Sequence, residues 1–406
     1  MDNLVKRDEA IRLREGGDFF DAGEPLGGCG QAGRFPESRE RLIVQKIRGV
    51  VDYWGKPGAR LKLHSPLISN KEEEYLTECC KNNWLTHGPH VSRLEEHIKN
   101  KTKAKFAIVV SGGTAALHLA LKTAGVGPGD QVVVPAFTFV ATANAVSYCG
   151  AEPNFVDCDV YGGLDPVKLD HWLSGNKVKA VVPVHVFGHC CEMDRITEVC
   201  KRHGVVLIED AAQSLGSYYD SLHSGRFGLA GALSFNGNKI VTTGGGGAVI
   251  TDSEEFADRV RLLANVAKKE VPHEYWHVDV GFNYRMPNIN AAIGCAQFEN
   301  IYNITQTKKI LYRRYAEAFK GFDFVRILEP GPKRLTNHWL NALILSGVDR
   351  KKLVDLLEEN GLEPRLCWTP LHFLDMYGDA KRGDLTMTEK LSKSVVNIPS
   401  GPGIIT

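Results

Sequence analysis

Apolar positions along the chain follow two alternating rhythms. Phe106-Ala107-Ile108-Val109-Val110, Gln131 to Val134, Phe155-Val156-Asp157, Ala180-Val181-Val182-Pro183-Val184 and Val205-Val206-Leu207-Ile208 are short, nearly unbroken apolar runs, as expected of buried parallel strands. Between them lie segments of helical character: Ala115 to Ala124 closed by Gly125, Ala141 to Cys149, and Glu192 to His203 ended by Gly204. Leu233-Ser234-Phe235 and Ala248-Val249-Ile250 are two further strands around the run Gly244 to Gly247. Strand alternating with helix predicts an α/β fold whose mostly parallel sheet is covered by helices on both faces.

After Phe298 the pattern changes. Thr305 to Gly321 reads as a long helix, Ala342 to Leu345 as a strand, and Arg350 to Asn360 as an amphipathic helix with Leu353, Leu356 and Leu357 as its stripe. Pro364, Pro370, Pro399 and Pro402 mark turns. The division predicted is a large domain over residues 61–300 and a smaller C-terminal α+β domain over 301–406. Upstream, Ile43, Ile47, Val50 and Trp54 recur at helical spacing between about Glu37 and Trp54. Asn70 is placed to cap a helix from Lys71 to Asn82, and Val91 to Lys99 is another. Residues 1–36 are polar and glycine-rich, so residues 1–60 read as a partly disordered N-terminal extension.

Composition narrows the function. The 406 residues allow two or three domains, and 43% hydrophobic with 24% charged residues is ordinary for a globular protein. A formal net charge of +1 gives no reason to expect nucleic acid or an anionic membrane as a partner. The ten cysteines contain no Cys-x-x-Cys pair, a poor layout for zinc. With no apolar leader and no long apolar span, the expected setting is cytoplasmic, with free thiols and no membrane.

The candidate chemistry sits where strands end. In open parallel sheets ligands lie beyond the carboxyl ends of the strands, and Thr114, Phe139, His185, Asp210 and Ser234 all fall at that edge. Lys239 follows in Ser234-Phe235-Asn236-Gly237-Asn238-Lys239, between two apolar strands. Desolvation there would lower the pKa of its amine, and a neutral amine forms a Schiff base with an aldehyde. Pyridoxal 5′-phosphate is the matching cofactor. Asp210 is placed to keep its ring nitrogen protonated, Phe139 to face the ring and Gln213 to bond the phenolic oxygen. Gly113, Thr114 and Ser234 are placed to hold the phosphate over a helix N-terminus. Taken singly, each feature has a plainer reading: a solvated lysine, a helix cap, a core phenylalanine, a conformational glycine.

Taken in order, the motifs resemble those of the DegT/DnrJ/EryC1/StrS sugar aminotransferases, pyridoxal phosphate enzymes of fold type I. The resemblance covers about Leu63 to Gly401. It rests on Thr86-His87-Gly88-Pro89, Ser111 to Leu117, Pro135 to Phe139, Pro183 to Gly188, Glu209-Asp210-Ala211-Ala212-Gln213, Ser234 to Lys239, Thr242-Thr243-Gly244, Gly281 to Met286 and Pro370-Leu371-His372. The sub-type is similar to enzymes that aminate nucleotide-linked 4-keto sugars of bacillosamine or legionaminic type.

This resemblance implies a large domain with a mostly parallel seven-stranded sheet and a homodimer with sites at the interface. It implies amino transfer from L-glutamate to the keto carbon of a nucleotide sugar, with Lys239 and Asp210 catalytic. Asn283 would reach a neighbouring subunit's phosphate, and Thr86, His185, Tyr284, Arg285 and His372 would meet the substrate. Gly245 departs from the pattern, where many members carry Glu. The alternatives are sugar dehydration, in which related enzymes carry His in place of the lysine, a cyclitol acceptor, and a non-catalytic sensor on the same fold.

Overall fold

The computed structural model describes residues 38–54 and 60–405. The disorder expected over residues 1–36 lies outside them. The described helices are α1 (Arg39–Trp54), α2 (Asn70–Lys81), α3 (His90–Thr102), α4 (Gly113–Thr123), α5 (Ala141–Tyr148), α6 (Pro166–Gly175), α7 (Met193–His203), α8 (Glu254–Ala264), α9 (Asn288–Glu299), α10 (Ile301–Ala318), α11 (Arg350–Glu359) and α12 (Thr386–Ser394). The larger sheet uses β1 (Phe106–Val110), β2 (Gln131–Pro135), β3 (Glu152–Val156), β4 (Ala180–Val181) and β5 (Val206–Asp210). After the short pair β6 (Tyr218–Tyr219) and β7 (Leu222–His223), it takes β8 (Ala230–Ser234) and β9 (Gly247–Thr251).

These seven strands run in the order β1-β9-β8-β5-β4-β2-β3. β3, β2, β4, β5 and β8 pair in parallel, and only β9 runs antiparallel to its neighbours β8 and β1. The sheet is apolar on both faces. Val132, Val134, Ile108 and Ile208 pack one way with α4, α5 and α8, and Val133, Val181 and Leu207 the other way with α6 and α7. That two-sided burial explains the unbroken apolar runs. β4 is shorter than its apolar run because Pro183 has no N–H to give the ladder. Two caps match the sequence, since Gly125 and Gly204 both carry the positive φ that ends α4 and α7. The cap of α2 is one residue earlier than expected: Ser69 Oγ accepts the Lys71 N–H while Glu72 accepts the Ser69 N–H, a capping box.

A hairpin, β10 (Lys268–Val271) and β11 (Glu274–His277), projects Tyr275 and Trp276 into solvent. Beyond α10 come β12 (Val325–Ile327), β13 (Arg334–Leu335), β14 (Asn341–Leu345), β15 (Arg365–Leu366) and β16 (Val395–Ile398). A four-stranded sheet, β12-β14-β16-β15, forms a second layer. Its core joins Leu343, Val396 and Ile398 to Leu311 and Tyr315 of α10, Leu353 and Leu357 of α11, and Ile43, Ile47 and Val51 of α1. Helix α1, read from sequence as part of an extension, is thus core to the smaller layer. By its contacts, the chain from Arg39 onward is one compact unit. No described helix is long and apolar enough to cross a membrane.

Candidate active site

The site is built at the carboxyl edge of the larger sheet. Helix α4 begins at Gly113 with Gly112 as N-cap and no side-chain cap, which leaves first-turn N–H groups for a ligand. A Cβ on Gly113 would stand 2.7 Å from Ser234 Cβ and 2.9 Å from its Oγ. Only glycine lets the Ser234 hydroxyl, at the end of β8, lie against this helix start. Thr114 follows as the second helical residue. Two hydroxyls and uncapped amides at the positive end of a helix suit a phosphate.

Asp210 ends β5 and is 4% exposed. Its Oδ2 accepts the Thr142 hydroxyl at 2.7 Å, and its Oδ1 accepts the Ala212 N–H at 3.1 Å. Burial raises its carboxyl above the usual range, while these bonds and the nearby Lys239 amine oppose that. Both bonding partners are neutral donors, so the buried carboxylate is matched to a cationic ligand such as a pyridinium. Phe139, three residues before Thr142, is 53% exposed although it is a large apolar ring at the sheet edge. Gln213 commits its Oε1 to the Phe187 N–H at 2.7 Å, which leaves its NH₂ group to donate to a ligand oxygen.

Lys239 lies in the loop between β8 and β9. Hydrogen bonds from Phe235 N–H to Gly246 O and from Thr243 N–H to Phe235 O tie the loop's ends together. Its Nζ stands 3.9 Å from the centre of the Trp339 ring. Burial lowers the amine to about 8, and the negative charge of Asp210 works against that shift. The acid and the amine therefore act on each other across one site.

The other expected substrate contacts are more scattered. His185 must be corrected. It is fully buried, its Nε2 stands 3.0 Å from Glu209 Oε2, and its Nδ1 accepts the Cys191 N–H at 3.1 Å. Both ring nitrogens are occupied, so it supports the strand ends from beneath and has no atom left for a sugar. Tyr284 turns its hydroxyl to His118 Nδ1 at 3.4 Å and stacks on Phe282. Arg285 is exposed and reaches His87 Nδ1 at 3.1 Å. Thr86 is exposed beside it in sequence. Asn283 is exposed and bridges to Asn265 through backbone. His372 is buried, with Nε2 3.3 Å from Glu389 and Nδ1 unpartnered. Sequence reasoning missed Thr142 and Trp339. Thr142 had one signal, a hydroxyl one helical turn beyond Phe139; Trp339 had none.

The cradle fits pyridoxal phosphate: an uncapped helix start for the phosphate, an exposed ring, a buried acid hydrogen-bonded only by neutral donors, and a desolvated lysine. Fold and site together define a pyridoxal phosphate-dependent sugar aminotransferase of fold type I. The chain belongs to the DegT/DnrJ/EryC1/StrS aminotransferase family, whose sequence model matches residues 66–406. GDP-perosamine synthase of Caulobacter vibrioides is 35% identical over 352 residues, covering 85% of this chain and 94% of that protein. The UDP-4-amino-4-deoxy-L-arabinose–oxoglutarate aminotransferase of Shewanella sediminis is 30% identical over 364 residues, covering 84% and 93%. The crystal structure of a DegT DnrJ EryC1 StrS aminotransferase from Brucella abortus superposes with a TM-score of 0.78 at 30% identity, covering 82% of this chain and 91% of that one.

Proposed function

We propose that this enzyme moves the amino group of L-glutamate to the keto carbon of a nucleotide-linked 4-keto sugar, and that Lys239 is the residue that carries the cofactor and the proton. The observation that carries the reading is the pairing of a desolvated Lys239 amine, near pH 8, with a buried Asp210 bonded only by neutral donors. Two relatives, a GDP-perosamine synthase and a UDP-4-amino-4-deoxy-L-arabinose–oxoglutarate aminotransferase, support the substrate class and the donor by what they are named for.

Bound pyridoxal phosphate supplies an aldehyde that takes up an amino group and a ring that stabilises negative charge on the adjoining carbon. Asp210 keeps the ring nitrogen protonated by remaining a carboxylate, a state the Thr142 and Ala212 donors favour. Gly113, Thr114 and Ser234 hold the phosphate, Phe139 faces the ring, and the Gln213 amide donates to the phenolic oxygen. Nζ of Lys239 would take the proton from the donor's Cα and give it to the former aldehyde carbon on the other side of the transferred nitrogen, so it must pass between amine and ammonium near neutral pH. Arg285, exposed at the site's rim with His87, offers a cation to a diphosphate. Exposed Asn283 and the exposed Tyr275 and Trp276 of the β10–β11 hairpin fit a homodimer in which Asn283 serves the partner's phosphate.

The test is incubation of the purified enzyme with L-glutamate and a panel of 4-keto nucleotide sugars and keto cyclitols, read by mass spectrometry. A product in which a keto oxygen is replaced by an amine, with 2-oxoglutarate formed in equal amount, supports the reading. Loss of water from the sugar without amine gain would replace it with dehydration.

A further inference from the structure

The ring beneath Lys239 is fixed more firmly than core packing demands. Trp339 is 4% exposed. Its indole Nε1–H donates to the carbonyl of Asn238, next to Lys239, at 2.6 Å. Its backbone N–H donates to Asn337 Oδ1 at 2.8 Å, and Asn337 Nδ2 donates onward to the carbonyls of Gln213 and Leu215. Its carbonyl accepts a bond of 3.0 Å from Nζ of Lys308, a wholly buried lysine on α10. The same Nζ donates to the Ser400 carbonyl. Burial drives the Lys308 amine far below its usual range, and a neutral amine has two N–H groups, which match these two carbonyls. The indole plane is therefore pinned at its N–H, its backbone amide and its carbonyl. Over its face stands an amine, Nζ of Lys239.

A lysine that carries a cofactor must let go of it in each half-reaction and then return to the same carbon. Its side chain is long and gains rotational freedom on release, so a defined resting place shortens the return. We propose that Trp339 is a positioning residue whose indole face is the seat of Lys239 Nζ whenever that nitrogen is not bonded to the cofactor. The proposal rests on the reading of Lys239 given above. An aromatic face attracts the ammonium more than the neutral amine, so the seat also favours the protonated state. The other charged or titratable groups acting here are Asp210 at the end of β5, His64 in the segment before α2, and Lys308 on α10. His64 has both ring nitrogens buried and unpartnered, and burial keeps it neutral, so it sets no fixed charge against the seat.

The experiment uses full-length protein stripped of cofactor. Pyridoxal phosphate is added at a series of pH values, the linkage is reduced with borohydride, and the Lys239 peptide is quantified by mass spectrometry. Wild type is compared with Trp339→Leu, Trp339→Phe and protein carrying increasingly fluorinated tryptophan at 339, which weakens the ring's attraction at constant shape. Trp339→Leu should move the midpoint for trapping Lys239 down by about half to one pH unit, and Trp339→Phe by less. The fluorinated series should lower it stepwise, even if the leucine variant does not fold. In steady state, Trp339→Leu should lower kcat about tenfold with KM for glutamate little changed, as a resting-place role requires, and Trp339→Phe should restore most of it. Trapping at Lys239 whose midpoint is indifferent to fluorination would overturn the seat alone. Absence of trapping at Lys239 in the wild type would overturn the assignment of that lysine and the seat with it.

Discussion

The Thr142 hydroxyl donates to Oδ2 of Asp210 at 2.7 Å, so a residue from the start of α5 opposes the rise that burial imposes on a carboxyl at the end of β5. Burial pushes the Asp210 carboxyl upward, and the Thr142 bond works against that push. Thr142→Val keeps the shape and removes the donor. A hydrogen bond to a charged group contributes about 1.5–3 kcal/mol, so the loss should cost roughly ten- to a hundredfold in kcat/KM. The acid limb of the pH–rate profile should move to higher pH, because the carboxylate form is then less favoured. A Thr142→Val enzyme with an unmoved acid limb would show that the bond does not tune Asp210.

The lowered Lys239 amine gives a stability prediction as well as a kinetic one. Its ordinary value is 10.5 and the folded value about 8. Between these values the unfolded chain holds the proton more often than the folded one, so unfolding free energy rises with pH across that window. The unfavourable contribution is fully present below pH 8 and gone above 10.5. Cofactor-free Lys239→Met, which lacks the group, should be more stable than wild type below pH 8, with the gap closing as pH rises; denaturant melts at several pH values measure this. Lys239→Ala should also lose all turnover and the absorbance of the cofactor–lysine linkage. Retention of that absorbance would place the linkage elsewhere.

Gly113 is a prediction about space. Because a Cβ there would fall 2.7 Å from Ser234 Cβ, Gly113→Ala must push the serine off the helix start. Overpacking of this kind costs about 1–3 kcal/mol, and the cradle is where it would be felt. Cofactor affinity, measured by equilibrium dialysis, should fall about tenfold or more, while Gly112→Ala, with open space at its Cβ, should bind closer to wild type. Equal affinities for the two variants would mean that Ser234 does not need to approach the helix.

How much of this could be read from the chain depends on where each signal resides. The large sheet was legible because its strands are buried on both faces and so are plain apolar runs. Helix α9 was not, because Ala291, Ala292, Cys295, Ala296 and Phe298 are all buried and leave little polar contrast around the helix. The capping box of α2 was present as Ser69 and Glu72 but was read one residue late, at Asn70. Asp210, Ser234 and Lys239 are proposed as site residues from the sequence because they stand at strand ends or just after them, the edge where ligands of such sheets lie. Trp339 belongs to the smaller layer, and only tertiary folding brings it under an amine a hundred residues earlier. His185 shows the opposite error: a strand-end histidine looks available until its two partners, Glu209 and Cys191, are seen.

That correction is testable, because a supporting residue and a substrate contact fail in different ways. Glu209 accepts N–H groups from Gly225, Phe227 and Gly228 in addition to facing His185. Since the His185 Nδ1 accepts from Cys191, the ring's proton is on Nε2 and is donated to Glu209. His185→Ala removes that donor, orphans the Cys191 N–H and opens a cavity beneath the strand ends. Each buried group left unpaired costs about 1–3 kcal/mol, so the variant should lose about 3 kcal/mol or more in a urea melt. His185→Gln, which can still donate, should recover part of that loss. In both variants KM for the sugar nucleotide should stay within about twofold of wild type, because the ring touches no substrate. A tenfold rise in that KM with the melt unchanged would return His185 to the binding surface.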